Sequence, residues 1–276
     1  MFAATFISGG LSYLANAAVG RLLGPSDYSI YNAMVSLILM LGAVTAVIQT
    51  VTTSHVARLH AGERMPDVGA LLFYLLRRLL LWGLAGLAVV WVLGRPLAAL
   101  LHLPSTVPVW VMATALAPIA VLPVLQGGLR GLERFVPYGI NMITQAALRL
   151  GTGIALIMAG WGAAGAIASL PLAYLGTAFL ALFWLFGILR SRNRAFQPNL
   201  SGLLGYASYT AVGLFAFTAL TTMDILFVKI GFAPDQAGLY SAIATIGKIT
   251  LYLPFAATAL LLPRVAILNS RGERTV

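Results

Sequence analysis

The sequence predicts an all-α integral membrane protein with about eight transmembrane helices: one six-helix lobe and the first two helices of a second, parallel-repeated lobe. Two features set the class: 60% hydrophobic against 9% charged residues, with a mean hydropathy of +0.94. A soluble domain carries about 25% charged residues. Apolar runs of about twenty residues also recur along the whole length, each enough to cross about 30 Å of hydrocarbon as a helix.

Runs bounded by Gly, Pro and charge place helices at 2–23, 28–58, 71–100, 106–129, 137–159, 162–189, 202–231 and 236–263. Met1 opens straight into an apolar run, with no basic stretch before it and no cleavage site leading to a soluble domain, so the first run reads as a retained helix. Pro118 and Pro123 are expected to kink the fourth helix. At its end Gly127 and Gly131 either pack helices or loosen the turn before Glu133 and Arg134.

The net charge of +10 lies in short loops rather than on one soluble face, so topology explains it and no nucleic-acid partner is expected. With both termini cytoplasmic, the inner side holds Arg58, Arg64, Arg130, Arg134, Arg190, Arg192, Arg194, Arg264, Arg271 and Arg274, and the outer side only Arg21, Arg95 and Lys229. That is the positive-inside pattern of a multi-pass protein of the cytoplasmic membrane. Arg77 and Arg78 read as side chains snorkelling to headgroups.

Several chemistries are excluded or unsupported. Cysteine is absent, which removes disulfides, thiolate catalysis and thiolate metal sites. His55, His60 and His102 lie on two sides of the membrane without carboxylates at metal spacing. Gly160, Gly162 and Gly165 match a dinucleotide fingerprint but join two spanning helices, with no preceding strand and no acidic residue in the next twenty positions. Gly247-Lys248 lacks the earlier glycine of a phosphate loop, because position 242 is Ala. No cofactor, metal or catalytic residue is expected, and the chain does not read as an enzyme.

An internal repeat appears when 23–33 is laid on 232–242: Pro25 meets Pro234, Ile30 meets Leu239, Tyr31 meets Tyr240 and Ala33 meets Ala242, at an offset of 209. Six helices separate the copies, so both have the same orientation in the membrane. The expected domains are a first lobe at 1–200 and the start of a second at 201–276. A full second lobe would need roughly 200 residues, so the sequence is expected to be a C-terminally truncated piece.

Polar residues recur at helical spacing on the helices flanking the repeat: Thr5, Ser8, Ser12, Asn16 and Gly20; Gly42, Thr45, Gln49 and Thr52; Tyr206, Thr210, Gly213, Phe217, Thr221 and Asp224; Ser241, Thr245, Lys248 and Tyr252. Such stripes either pack helices closely or line a cavity. Charges at membrane depth say more, because each costs about 2.5 to 3.5 kcal/mol at a helix centre on insertion scales. Asp224 and Lys248 either neutralise one another or form a proton or cation site. Arg149 shares a face with Asn141, Gln145 and Thr152 and has no acid in its helix; it faces water or an anion, or bridges helices. Arg21 is either an interfacial anchor or a headgroup contact. The candidate cavity residues are Asn16, Arg21, Gln49, Asn141, Gln145, Arg149, Asp224 and Lys248.

The segment Arg21-Leu22-Leu23-Gly24-Pro25-Ser26-Asp27-Tyr28-Ser29-Ile30-Tyr31 resembles the first hairpin of oligosaccharide flippases in the multidrug, oligosaccharidyl-lipid and polysaccharide exporter (MOP) superfamily. Gln126 to Phe135 and Ala237 to Ala242 resemble two later connections of that family, so the resemblance covers essentially the whole chain. It implies two lobes of six or seven helices, with a central cavity lined mainly by the first two helices of each. The implied substrate is an undecaprenyl-pyrophosphate-linked oligosaccharide for polysaccharide or O-antigen synthesis, moved by alternating access. Membrane lipids and polysaccharide-assembly proteins are the implied partners.

Two other readings stay open: a cation-coupled multidrug antiporter of the same superfamily with Asp224 as coupling carboxylate, and a non-transporting scaffold of a polysaccharide-assembly complex. A membrane glycosyltransferase is less consistent, since Asp27 and Asp235 are the only acids in the outer loops.

Overall fold

A computed structural model of the chain describes residues 2–193, 196 and 201–248. These form α1 (Phe2–Ala61), α2 (Met65–Val92), α3 (Gly94–Leu100), α4 (Val107–Ala113), α5 (Leu116–Gly131), α6 (Phe135–Leu156), a π-helical turn (Ile157–Trp161), α7 (Gly162–Arg190) and α8 (Ser201–Gly231), with α9 at 234–248. No strand occurs among the described residues. Arg194, Arg264, Arg271, Arg274, Tyr252 and the second half of the expected eighth helix lie outside them.

A straight helix of 60 residues would be about 90 Å long, three times the hydrocarbon thickness. Instead α1 folds back at Gly24, whose φ of 72° and ψ of 170° fall in a region open essentially to glycine alone. Pro25 then starts the second arm, where its fixed φ suits a first helical position and its missing N–H costs nothing. The fold-back brings Gly20 against the Tyr28 ring. A second hairpin turns at Gly160 and Gly162, both at positive φ, so that α7 returns along α6 and Ser169 meets Gly153.

The third expected helix, 71–100, is displaced at both ends. It begins at Met65 because the charged first turn has partners: Asp67 accepts from Arg64 Nε at 2.7 Å and from Asn193 Nδ2 at 2.8 Å. It stops at Val92 and resumes as α3, because Pro96 cannot donate to the carbonyl four residues back and its ring crowds that carbonyl. Pro118 acts in the same way on Thr114, and the fourth expected helix is accordingly split between α4 and α5.

Two apolar clusters hold the bundle. One, around Tyr31, Met34, Val109 and Ile167, lies at the end that carries Gly24 and the 160–162 turn. The other, around Val56, Leu72, Leu125 and Leu185, lies at the opposite end, where Arg64, Arg134 and Arg190 gather. Gly127 and Gly131 pack helices: a Cβ at either would meet the backbone of α1, the Gln49 carbonyl at 2.8 Å or the Thr53 carbonyl at 2.7 Å. Between the clusters lies a polar layer.

Candidate functional site

Asn16 on the first arm of α1, Tyr31 on its second arm and Arg149 in the middle of α6 meet in this layer. Arg149 Nη2 donates to Asn16 Oδ1 at 2.8 Å and to Tyr31 Oη at 2.6 Å. Tyr31 Oη donates in turn to Asn16 Oδ1 at 3.2 Å, which closes a triangle. Hydrogen bonds to a charged group contribute about 1.5 to 3 kcal/mol each, so two of them offset the roughly 2.5 to 3.5 kcal/mol of placing an arginine at this depth. The guanidinium is not saturated, because its Nε is buried and has no partner among the described residues.

Arg149 borders a cavity of about 340 Å³, with Ser8, Ser12, Gln49, Gln126 and Gln145 in its wall. Gln49 Nε2 donates to Tyr138 Oη at 3.3 Å across it. No described acidic residue lines this cavity. It therefore presents one fixed positive charge among neutral amide, hydroxyl and phenol groups, a wall suited to an oxyanion. A second cavity of about 340 Å³ lies toward the Gly24 end, between α1 and α9, and is bordered by Asn16, Arg21, Tyr28 and Thr245. Asn16 borders this second cavity while bonding to Arg149 of the first.

The remaining candidates separate from this group. Asn141 is 0% exposed and serves as a bridge: it accepts from Gln126 Nε2 at 3.0 Å and donates to the Thr177 carbonyl at 2.8 Å. A buried amide bonded at both its oxygen and its nitrogen joins α5, α6 and α7, and Asn141 does not border the cavity. Asp224 and Lys248 border a third cavity, of about 420 Å³, between α8 and α9. The ion pair expected as one possibility does not form: among the described residues the salt bridge is Arg64 to Asp67. Asp224 Oδ2 accepts from Tyr240 Oη at 3.1 Å instead, and Asp224 Oδ1 is buried without a partner.

Three participants escape sequence reasoning. Tyr31, which bonds to Arg149, and Tyr138 and Tyr174, which border its cavity, are aromatic residues in apolar runs, and nothing in their spacing separates them from packing residues. Only the repeat singles out Tyr31. Lys229, expected at the outer interface, is 4% exposed and donates to Ser29 Oγ at 2.8 Å, joining α8 to the second arm of α1. Beside it, Gly238 of α9 abuts the Pro25 carbonyl, so the two copies of the repeated motif pack directly on one another.

No family model matches the chain. An uncharacterized protein of Mycobacterium tuberculosis, found in two strains, is 27% identical over 164 residues, which is 58% of this chain and 35% of that protein. The chain thus spans about a third of the length of the curated relatives it matches. Among solved structures, an inward-facing multidrug resistance MATE family transporter of the MOP superfamily is similar with a TM-score of 0.68 at 16% identity, over 87% of this chain and 57% of that one. An outward-facing conformation of a transporter so described gives 0.61 at 17% identity, over 82% and 52%. A MOP superfamily transporter from Pyrococcus furiosus, described as having a binding pocket of reverse polarity that suggests a different function, gives 0.61 at 17% identity, over 82% and 52%. The chain has the MATE-type all-helical transporter fold.

Proposed function

We propose that this chain forms the substrate-binding part of a secondary transporter of the MOP type, and that it moves an anionic amphiphile across the cytoplasmic membrane by alternating access. The carrying observation is the cavity around Arg149: one guanidinium with donor capacity left, neutral polar walls and no described carboxylate. A phosphate or diphosphate group matches the planar fork of an arginine. The lipid-linked diphosphate oligosaccharide implied by the sequence resemblance has that chemistry. Packing of Pro25 on Gly238 brings the two repeat hairpins together at the Gly24 end, the outer side in the orientation expected from the positive-inside bias.

The multidrug antiporter is the second reading, and on fold likeness alone it is the better supported, since the similar solved structures include multidrug MATE transporters. A specific observation favours it too: Asp224 has a buried carboxylate oxygen without a partner, the kind of group that takes up a proton or a cation at membrane depth.

Proteoliposomes distinguish the two. Flipping of a fluorescent polyisoprenyl-diphosphate sugar without ethidium efflux supports the anionic substrate. Ethidium efflux driven by a proton or sodium gradient, lost in Asp224→Asn, supports the antiporter.

A further inference from the structure

A groove of about 880 Å³ runs along the outside of the bundle, away from the polar cavities. Phe73 and Leu80 of α2 form one wall, Phe179 and Phe186 of α7 the other, and Pro118 and Val121 of α5 the floor. Its size falls within the range of pockets that take drug-sized ligands. At the basic end Gly69 abuts the Ile188 carbonyl and Asn193 N donates to the Pro66 carbonyl at 2.8 Å. These contacts hold α2 and α7 together there.

The groove surface is apolar along its length. Arg77, Arg190 and Arg192 border the groove, and no described acidic residue does. Arg192 is fixed over the Phe73 ring, 3.8 Å from its centroid, and Arg77 stands four residues, about 6 Å, further along α2 than Phe73. The three arginines thus line an apolar trough with their aliphatic stems, and the Arg192 guanidinium stands over the Phe73 ring. Arg78, next to Arg77, instead donates to Tyr74 Oη at 2.7 Å and does not border the groove.

We infer that this groove is a binding site for an anionic phospholipid of the leaflet at the basic end, with the phosphate held between Arg77, Arg190 and Arg192 and the acyl chains lying along the α2, α5 and α7 walls. The charge pattern selects this occupant. A zwitterionic lipid brings its own ammonium beside the phosphate and so neutralises none of the net positive charge, whereas basic pockets between helices on the cytoplasmic side suit anionic headgroups. The site is separate from the transport cavity and does not depend on what the transporter carries.

Native mass spectrometry of the purified chain, given equimolar phosphatidylglycerol and phosphatidylcholine in mixed micelles, tests the inference. Phosphatidylglycerol should be retained selectively, and raising the salt should release it. Each arginine near an anionic headgroup contributes about fivefold in affinity, so combining Arg77→Gln, Arg190→Gln and Arg192→Gln should weaken retention roughly a hundredfold. Arg78→Gln should change it little. If the triple variant does not fold, the three single variants and the salt titration of the unsubstituted chain give the reading. Equal retention of both lipids, retention indifferent to salt and to the substitutions, or co-purification of a polyisoprenyl diphosphate in place of phospholipid would overturn the inference.

Discussion

Tyr31 and Tyr240 make matching hydrogen bonds from equivalent positions in the two copies of the repeat. Tyr31 Oη donates to Asn16 Oδ1, 15 residues back, and Tyr240 Oη donates to Asp224 Oδ2, 16 residues back. The offset is 209 between the tyrosines and 208 between their partners Asn16 and Asp224, so the two copies match in the loops and differ by one residue in the preceding helices. The copies differ in charge. One tyrosine braces a neutral amide joined to Arg149, and the other a carboxylate with a free buried oxygen.

Ser29→Ala should destabilise the chain by about 1 to 3 kcal/mol, because the buried Lys229 ammonium loses its hydrogen-bond acceptor. Lys229→Met keeps most of the volume and removes the charge, so it should cost less. Thermal unfolding in detergent, read by tryptophan fluorescence, checks the order. A larger loss in Lys229→Met than in Ser29→Ala would contradict it.

Gly238→Val should push the two repeat hairpins apart, because any side chain there meets the Pro25 carbonyl. Overpacking of this kind costs about 1 to 3 kcal/mol. The chain has no cysteine, so a single Ala17→Cys in the cavity between α1 and α9 can report opening. Maleimide labelling of that site from the Gly24 end should speed up in Gly238→Val, and unchanged labelling would mean that the hairpins do not seal it.

Asn141→Leu should lower stability by about 1 to 3 kcal/mol while leaving the affinity of folded protein for substrate nearly unchanged. It takes one donor from the Thr177 carbonyl and the acceptor from Gln126 Nε2, while Gln126 and the other wall residues stay in place. Comparing the melting temperature with ligand affinity separates the two effects.

The fold was legible because hydrophobic runs of membrane length admit few structures other than helices, and because Gly24-Pro25 and Gly160 to Gly162 mark hairpins in the chemistry of the turn itself. Helix ends were less legible. Asp67 falls before the expected start at 71, and its bonds to Arg64 and Asn193 carry the helix back to Met65; Pro96 and Pro118 break helices about four residues before themselves. Of the candidate residues, Asn16, Arg21, Gln49, Gln145, Arg149, Asp224 and Lys248 border one of three cavities, and Asn141 borders none of them. Asn141 shows the limit: its face of α6 was correct, but periodicity does not reveal whether an amide on that face meets a cavity or two neighbouring helices. Lys229 shows the same limit for depth, since a helix-end lysine reads alike whether it reaches water or a buried hydroxyl.

The central claim is that Arg149 is the anion-binding group of the cavity, and thermal stabilisation by ligand tests it most directly. Undecaprenyl diphosphate should raise the melting temperature of the unsubstituted chain in a concentration-dependent manner. Arg149→Gln should weaken that effect at least about tenfold in apparent affinity, and ethidium should have little effect on either. Equal stabilisation of both proteins by the diphosphate, or stabilisation by ethidium alone, would contradict the account and return the cavity to the multidrug reading.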